Sequence, residues 1–345
     1  VTPLRIGMVA PIAWACPPRG YGPWEAATST LTEALVARGH DVTLFAAGGS
    51  ATAGRLRVTA PHPYEEAPLD VKVWEAMHLG AAMEAAAGGA LDVIHVQCDF
   101  PALPYARLLP VPMVVTLHGL GPPATRDAVL PIWRAYMQDA HYVAISRSDR
   151  HTDLRYAATI HHGLDLDAWA VVPYPGAHAP LAFFGRSHPE KGPAAAIDAA
   201  RAAGLPIRLA GIVADRAYHA AEVEPRLGPD AVWVGPVEGA ARARFLGAAQ
   251  ALLHLIVFDE PFGLSVIEAM VCGTPVIALR RGSMPELIAE GVTGYLVDRL
   301  EDVPDAIGRL PWIDRTACAA HARARFGADM MARNYEALYR TVTST

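Results

Sequence analysis

The sequence predicts two doubly wound α/β domains in series. Short apolar runs recur along the chain without apolar–polar alternation, and helix-compatible stretches separate most of them. Strands of that kind are buried on both faces, as in parallel sheets covered by helices. The length of 345 residues, at ~100–200 residues per domain, also favours two domains.

In order, the first run is Leu4–Ala10. A loop rich in Pro and Gly follows (PPRGYGP), then a helix from Trp24 to Arg38, closed by Gly39. Glu25 suits its first turn, where free N–H groups concentrate positive potential. The next runs are Asp41–Ala46, Asp92–Gln97, Met113–Leu117 and His141–Ile145. After Gly163 a second series begins: Leu181–Phe184, Ile207–Ala210, Ala231–Val234, Ala251–Phe258, Val276–Leu279 and Gly294–Val297. Gly, Asp and Pro cluster around His162–Pro175 and mark the linker. Asp329–Thr343 is an amphipathic helix pattern whose docking surface periodicity does not define. The expected divisions are 1–163, 164–328 and 329–345.

Composition narrows the function. The chain is 52% hydrophobic and 19% charged, which supports sizeable cores. The part up to residue 163 carries 12 Lys+Arg against 14 Asp+Glu, and the remainder 17 against 21. Neither is basic, which argues against nucleic acid or an anionic membrane surface as main partner. Cys16, Cys98, Cys272 and Cys318 form no CxxC pair, so a reducing cytoplasm is the expected compartment. No apolar run is long enough for a spanning helix, and VTPLRIGMVAP reads as a first strand rather than a signal peptide.

Ligands of open α/β sheets sit beyond the carboxyl ends of the strands, and the unusual residues fall there repeatedly. Gly20 and Gly22 follow the first run and lead into a helix N-terminus, where a backbone can approach an anion closely. As a dinucleotide fingerprint this loop is poor: Glu25 stands where a third Gly is needed, and no acidic residue closes the second run. His118 follows VVTL; such a residue is a core histidine or, on a cleft floor, a functional one. Arg186 and Lys191 follow LAFFG, either as a solvated turn or as a pair that neutralises a diphosphate. Glu260 and Glu268 flank a strand–helix junction; if both were helical they would lie ~12 Å apart, suited to two ends of an extended ligand. The first turn around Phe262, Gly263 and Leu264 offers N–H donors for phosphate. Glu268, among Val266, Ile267, Ala269 and Met270, calls for a dedicated partner. Asp165-Leu166-Asp167 and His161-His162 invite a metal reading, but the first lies in the linker and the second lacks a third ligand, so no metal site is assigned. No GxSxG elbow is present.

These residues resemble the retaining glycosyltransferases of family 4, with the two-Rossmann GT-B fold. The resemblance covers nearly the whole chain. Its most specific part is Glu-x7-Glu, filled by Glu260 and Glu268 in EPFGLSVIEAMVCGTPVIA. GRSHPEKG is similar to the family's phosphate loop, RGYGPWE to its N-terminal glycine loop, LHGLG to its strand-end His segment, and GSMPELIAEGVTGYLV to its C-domain ending. IHHGLDLDAW resembles its hinge, with His162 where Asn is common, a departure that alters a sugar or a hinge contact.

The resemblance implies roles. Arg186 and Lys191 bind the donor diphosphate, Glu268 the ribose and Glu260 the donor sugar. Backbone at Phe262, Gly263 and Leu264 holds sugar or phosphate, Gly20 and Gly22 belong to the donor loop, with Gly22 touching the diphosphate, and backbone around Gly235–Val237 holds the base. His118 meets the transferred sugar. The final helix returns to the N-terminal domain, and closure about the linker excludes water. The donor is a UDP- or GDP-linked sugar more than another nucleotide, with no metal required. Trp14, Tyr21 and Trp24 offer acceptor surface for a soluble small molecule, a natural-product intermediate as in antibiotic-pathway transferases of the avilamycin type. Stable membrane insertion is not expected, and at most a weak homo-oligomer is. A nicotinamide-dependent oxidoreductase and a non-catalytic sugar-nucleotide binder, hydrolase or epimerase are the competing readings.

Overall fold

The structure is a computed structural model that describes residues 2–121, 123–176 and 178–344. The chain divides into two compact units, Val1–Leu164 with Gly327–Thr345, and Asp165–Phe326.

The first unit is built from β1 (Arg5–Val9), α1 (Pro23–Ala37), β2 (Asp41–Ala47), β3 (Arg55–Ala60), α2 (Val71–Ala87), β4 (Val93–Val96), β5 (Met113–Leu117), α3 (Pro123–Tyr136), β6 (His141–Ala144) and β7 (Tyr156–Thr159). Among the described residues its sheet is seven-stranded, in the order β3-β2-β1-β4-β5-β6-β7. Every pairing is parallel, with Ile6 opposite both Val42 and Val93. The run Ile6–Val9 is fully buried because helices cover both faces. On one face Ile6, Met8, Leu44 and Val114 meet Leu31 and Leu35 of α1. On the other, Val9, Phe45 and Ile94 meet Leu79 and Met83 of α2 and Trp133 of α3. Each such side chain stabilises the fold by about 1.5–3 kcal/mol through removal from water.

The final helix, Ala328–Thr343, belongs to this unit. Met331, Tyr335 and Tyr339 enter the cluster formed with α1, and Arg38 at the end of α1 bonds Glu336 at 2.6 Å and Asp329 at 2.7 Å. Arg340 and Arg38 hold the Glu336 carboxyl down at about 2.

Two strands of this sheet escape the apolar-run criterion. β3 is an edge strand whose Arg55–Val58 are all exposed, so its sequence RLRVTA lacks an apolar run; charged residues on an edge discourage intermolecular pairing. β7 is the other edge, and the two alanines at the centre of YAAT carry little β preference. The first helix begins at Pro23 rather than Trp24, because Pro suits a first helical position where no N–H partner is required.

The second unit runs β8 (Leu181–Phe184), α4 (Pro193–Ala202), β9 (Ile207–Ala210), α5 (Arg216–Tyr218), β10 (Ala231–Gly235), α6 (Gly239–Gly247), β11 (Leu252–His254), α7 (Leu264–Val271), β12 (Val276–Leu279), α8 (Met284–Leu287), β13 (Gly294–Val297), α9 (Val303–Gly308) and α10 (Arg315–Phe326). Among the described residues its sheet has six strands, ordered β10-β9-β8-β11-β12-β13 and paired in parallel. The run expected over 251–258 is strand only over Leu252–His254. Beyond it the backbone turns away from the ladder, and Val257 N donates to Glu190 O at 3.1 Å. Arg315 of α10 is buried and donates to the carbonyls of Val172, Gly247 and Ala249 at 2.8–2.9 Å.

Candidate active site

In the second unit the chain leaves β8 through Gly185 and Arg186 and makes a short turn over Pro189–Lys191 before α4. Lys191 Nζ donates to Glu260 Oε2 at 2.6 Å and stands 4.7 Å from the centre of the Phe258 ring. Arg186 is half-buried and makes no ion pair among the described residues. Glu260 precedes α7 rather than lying in it, since that helix begins at Leu264. The conditional ~12 Å helical spacing therefore does not apply.

The Glu260 backbone is clamped by the segment GSMPEL. Ser283 N donates to Glu260 O at 3.0 Å. Gly282 has φ +49°, and a Cβ there would lie 2.5 Å from both Glu260 N and Glu260 O. Only a residue without a side chain fits. Ser283 Oγ donates to the Phe262 carbonyl. Phe262 is buried against Phe326, and Gly263 caps α7 with φ 104°. The first-turn N–H groups around Leu264 have no carbonyl one turn back within the helix.

Glu268 is buried on α7. Its partner is Arg242 of α6, with Nη1 3.0 Å from Oε1. Arg242 also sits over the rings of Phe184 and Trp169, at 5.7 and 5.9 Å. Burial pushes the Glu268 carboxyl up to about 7, against the pull of Arg242. Sequence reasoning anticipated a partner for this carboxylate but not which residue, because nothing in the spacing singles out an arginine 26 positions upstream. His254, at the end of β11, was also missed. Its Nε2 is buried without a hydrogen-bond partner, and burial holds the ring down at about 4; Glu260 acts the other way. Its apolar surroundings in LLHLIVF hid it. Gly235 ends β10, its carbonyl accepting from Gly211 N at 3.0 Å, and Val237 lies half-buried before α6.

In the first unit Gly20, Tyr21 and Gly22 form the loop into α1. Gly22 has φ +145°, and a Cβ there would meet Pro18 Cβ at 2.8 Å and Trp14 Cδ1 at 3.1 Å. Glu25 stands in the first turn of α1, as expected, and is buried there. It is 2% exposed, and Oε1 accepts from Trp14 N at 3.1 Å. Burial raises its pKa.

His118 closes β5. Its ring stacks between Trp24, at 5.1 Å and 18°, and His162, at 5.2 Å and 21°. The hinge-position histidine thus has a definite contact, a ring face on His118. His118 Nε2 lies 2.7 Å from Gln97 Oε1, so Nε2 carries the proton, and Nδ1 is buried with no partner. Burial, reinforced by His162 and His95, keeps His118 neutral. From Gln97 the contacts continue to His95 Nε2 at 3.2 Å. His95 in turn meets Tyr339 OH at 2.6 Å and Thr116 Oγ1 at 2.7 Å, and Thr116 meets Tyr335 OH at 2.7 Å. A buried polar chain thus links His118 to the final helix.

Trp14, Tyr21 and Trp24 line a cavity of about 310 Å³ in this unit, together with Glu25, Glu75 and His78. His78 is fully paired, with Thr59 Oγ1 at 2.6 Å and Ala10 O at 2.9 Å. Asp165 Oδ1 accepts from Asp167 N at 3.2 Å in a local turn, and among the described residues no group of three or more His, Cys, Asp or Glu is placed to hold a metal ion. Among the described residues no helix is long and apolar enough to cross a membrane.

The second unit therefore offers cations and helix N–H groups beside two carboxylates, a set suited to a sugar attached to a diphosphate. The first offers a neutral histidine and an aromatic cavity. Comparison with known proteins agrees with this chemistry. The family model for glycosyl transferases group 1 matches residues 177–310, and that for glycosyltransferase family 4 matches residues 25–168. A D-inositol 3-phosphate glycosyltransferase of Kribbella flavida is 36% identical over 135 residues, 36% of this chain and 31% of that protein. In relatives of that name the chain spans 31–44% of the relative's own length. A phosphatidyl-myo-inositol mannosyltransferase of Mycobacterium tuberculosis is 26% identical over 337 residues, 88% of this chain and 84% of that one. The crystal structure of AviGT4, a glycosyltransferase involved in avilamycin A biosynthesis, matches with a TM-score of 0.75 at 22% identity, over 99% of this chain and 98% of that one. A glycosyltransferase family model thus matches on each side of residue 170, and the chain has the two-Rossmann GT-B fold along its length.

Proposed function

We propose that the protein is a retaining glycosyltransferase that moves a sugar from a nucleoside diphosphate sugar, UDP- or GDP-linked, to a hydroxyl of a small-molecule acceptor, without a metal ion. The observation that carries the reading is the Lys191–Glu260 contact of 2.6 Å just before the start of α7, with Arg186 on the same β8–α4 connection as Lys191. In the transfer, the bond from the anomeric carbon to the diphosphate oxygen breaks and its electron pair leaves with the diphosphate. The acceptor oxygen forms the new bond to that carbon, and the acceptor proton passes to the departing phosphate oxygen. Arg186, Lys191 and the N–H groups of Phe262, Gly263 and Leu264 stand where negative charge grows, and fixed donors of that kind lower the barrier most. Glu268 accepts the ribose hydroxyls, backbone around Gly235–Val237 holds the base, and Glu260 orients the donor sugar.

Same-face attack fits better than double displacement. Glu260, the carboxylate nearest the cation, is already bonded to Lys191, which weakens it as a nucleophile. On the acceptor side, His118 is neutral and donates through Nε2 to Gln97; its role is to orient the transferred sugar rather than to accept a proton. Trp14, Tyr21 and Trp24 contact the acceptor.

Incubation with a panel of nucleotide sugars, an acceptor mixture and excess chelator tests the reading. Acceptor-dependent release of nucleoside diphosphate is expected to persist. Strict dependence on added divalent metal, or oxidation of a nicotinamide cofactor instead, contradicts it.

A further inference from the structure

The cavity in the first unit holds two carboxyl groups that no cation pairs among the described residues. Glu25 lines it at 2% exposure, bonded by the Trp14 N–H and by no cation. Glu75, half-buried on α2, lines it as well and makes no ion pair among the described residues. The Tyr64 hydroxyl, also in the lining, is pushed up by burial first and then by Glu75, Glu25 and Glu65, so three carboxylates act on one point. No Arg or Lys belongs to the lining. Its one imidazole, His78, is held down at about 4 by burial and is neutral. The remaining walls are apolar and include three aromatic rings, with Trp14 and Tyr21 edge to face at 6.4 Å.

A buried carboxylate without a counter-cation is costly, and the cost is relieved when a cation enters. Aromatic faces favour the same charge. A phosphorylated acceptor would meet repulsion here and no donor fork. We infer that the cavity receives an acceptor bearing an ammonium group, an amino sugar or aminocyclitol, with Glu25 and Glu75 facing the charge. The ammonium serves recognition alone; a hydroxyl of the same acceptor takes the sugar, so this inference rests on the transferase reading.

Calorimetric titration with glucosamine, N-acetylglucosamine, glucose and an inositol monophosphate tests it, with UDP and GDP titrated in parallel. Glucosamine is expected to bind about tenfold more tightly than its neutral counterparts, equivalent to about 1.4 kcal/mol. That preference is expected to vanish in Glu75→Gln, whose melting curve reports folding, and to fall in Glu25→Gln. Equal binding of the four sugars, no binding of any, tightest binding of the inositol phosphate, or a preference that survives in both variants overturns the inference. Nucleotide binding without an amine preference retires the ammonium assignment alone. An amine preference without any nucleotide binding retires the transferase reading instead.

Discussion

Lys191 Nζ and Glu260 Oε2 lie 2.6 Å apart, and each side chain is only 16% exposed. The pair joins two loops that are 69 residues apart in sequence. An ammonium has three donors, so Lys191 can keep Glu260 and still take a phosphate oxygen. The carboxylate nevertheless opposes an incoming diphosphate. Glu260→Gln is therefore expected to tighten nucleoside diphosphate binding by about tenfold while lowering sugar transfer by about 100-fold. Calorimetry and initial rates on the same preparation check both; weaker diphosphate binding would contradict the geometry.

Glu268 gives a pH signature. Its carboxyl is raised from 4.5 to about 7 in the folded chain by burial. Between those values the native state holds a proton that the unfolded chain has released, so this group makes stability fall as pH rises, and its effect is constant above about 7. Glu268→Gln lacks the effect and can still accept from Arg242. The melting temperature of the variant relative to the wild type is expected to climb by a few degrees from pH 4.5 to 7 and then level off. A constant difference across that window would contradict the assigned burial.

How much of this was legible in the sequence differs between the backbone and the side chains. Runs such as Ile6–Val9 and Val276–Leu279 announce parallel strands because both faces are buried, and burial is written in composition. β3 and β7 were not legible because edge strands are half-solvated and need no apolar run. Periodicity did not define where the final helix docks, which rests in part on the pairing of Arg38 with Glu336, 298 residues apart; the family resemblance did imply its return to the first unit, where it lies. Lys191 and Glu260 were singled out by their places after strands, and they do meet. Arg242, Gln97 and His254 were not singled out, because their roles come from what folding sets beside them.

The chain from His118 to the final helix predicts a stability effect far from any ligand. Tyr339→Phe leaves His95 Nδ1 without its partner at 2.6 Å. An orphaned buried polar atom costs about 1–3 kcal/mol, which urea unfolding would report. An unchanged midpoint would mean that the contact contributes nothing.

Gly22 is expected to tolerate no side chain. Gly22→Ala adds a Cβ 2.8 Å from Pro18 Cβ at φ +145°, a backbone strain of about 1–3 kcal/mol. Since Trp14 would have to move as well, tryptophan fluorescence should shift, and acceptor binding and nucleoside diphosphate binding should both weaken. A variant indistinguishable from the wild type in all three would contradict the packing described.

In the proposed mechanism, fixed cations of the second unit hold the departing diphosphate. The most direct measurement of this is the affinity of Lys191→Ala for a nucleoside diphosphate and for the matching nucleoside, each against the wild type. A loss of about tenfold or more is expected for the diphosphate and almost none for the nucleoside. Equal loss for both ligands would contradict it.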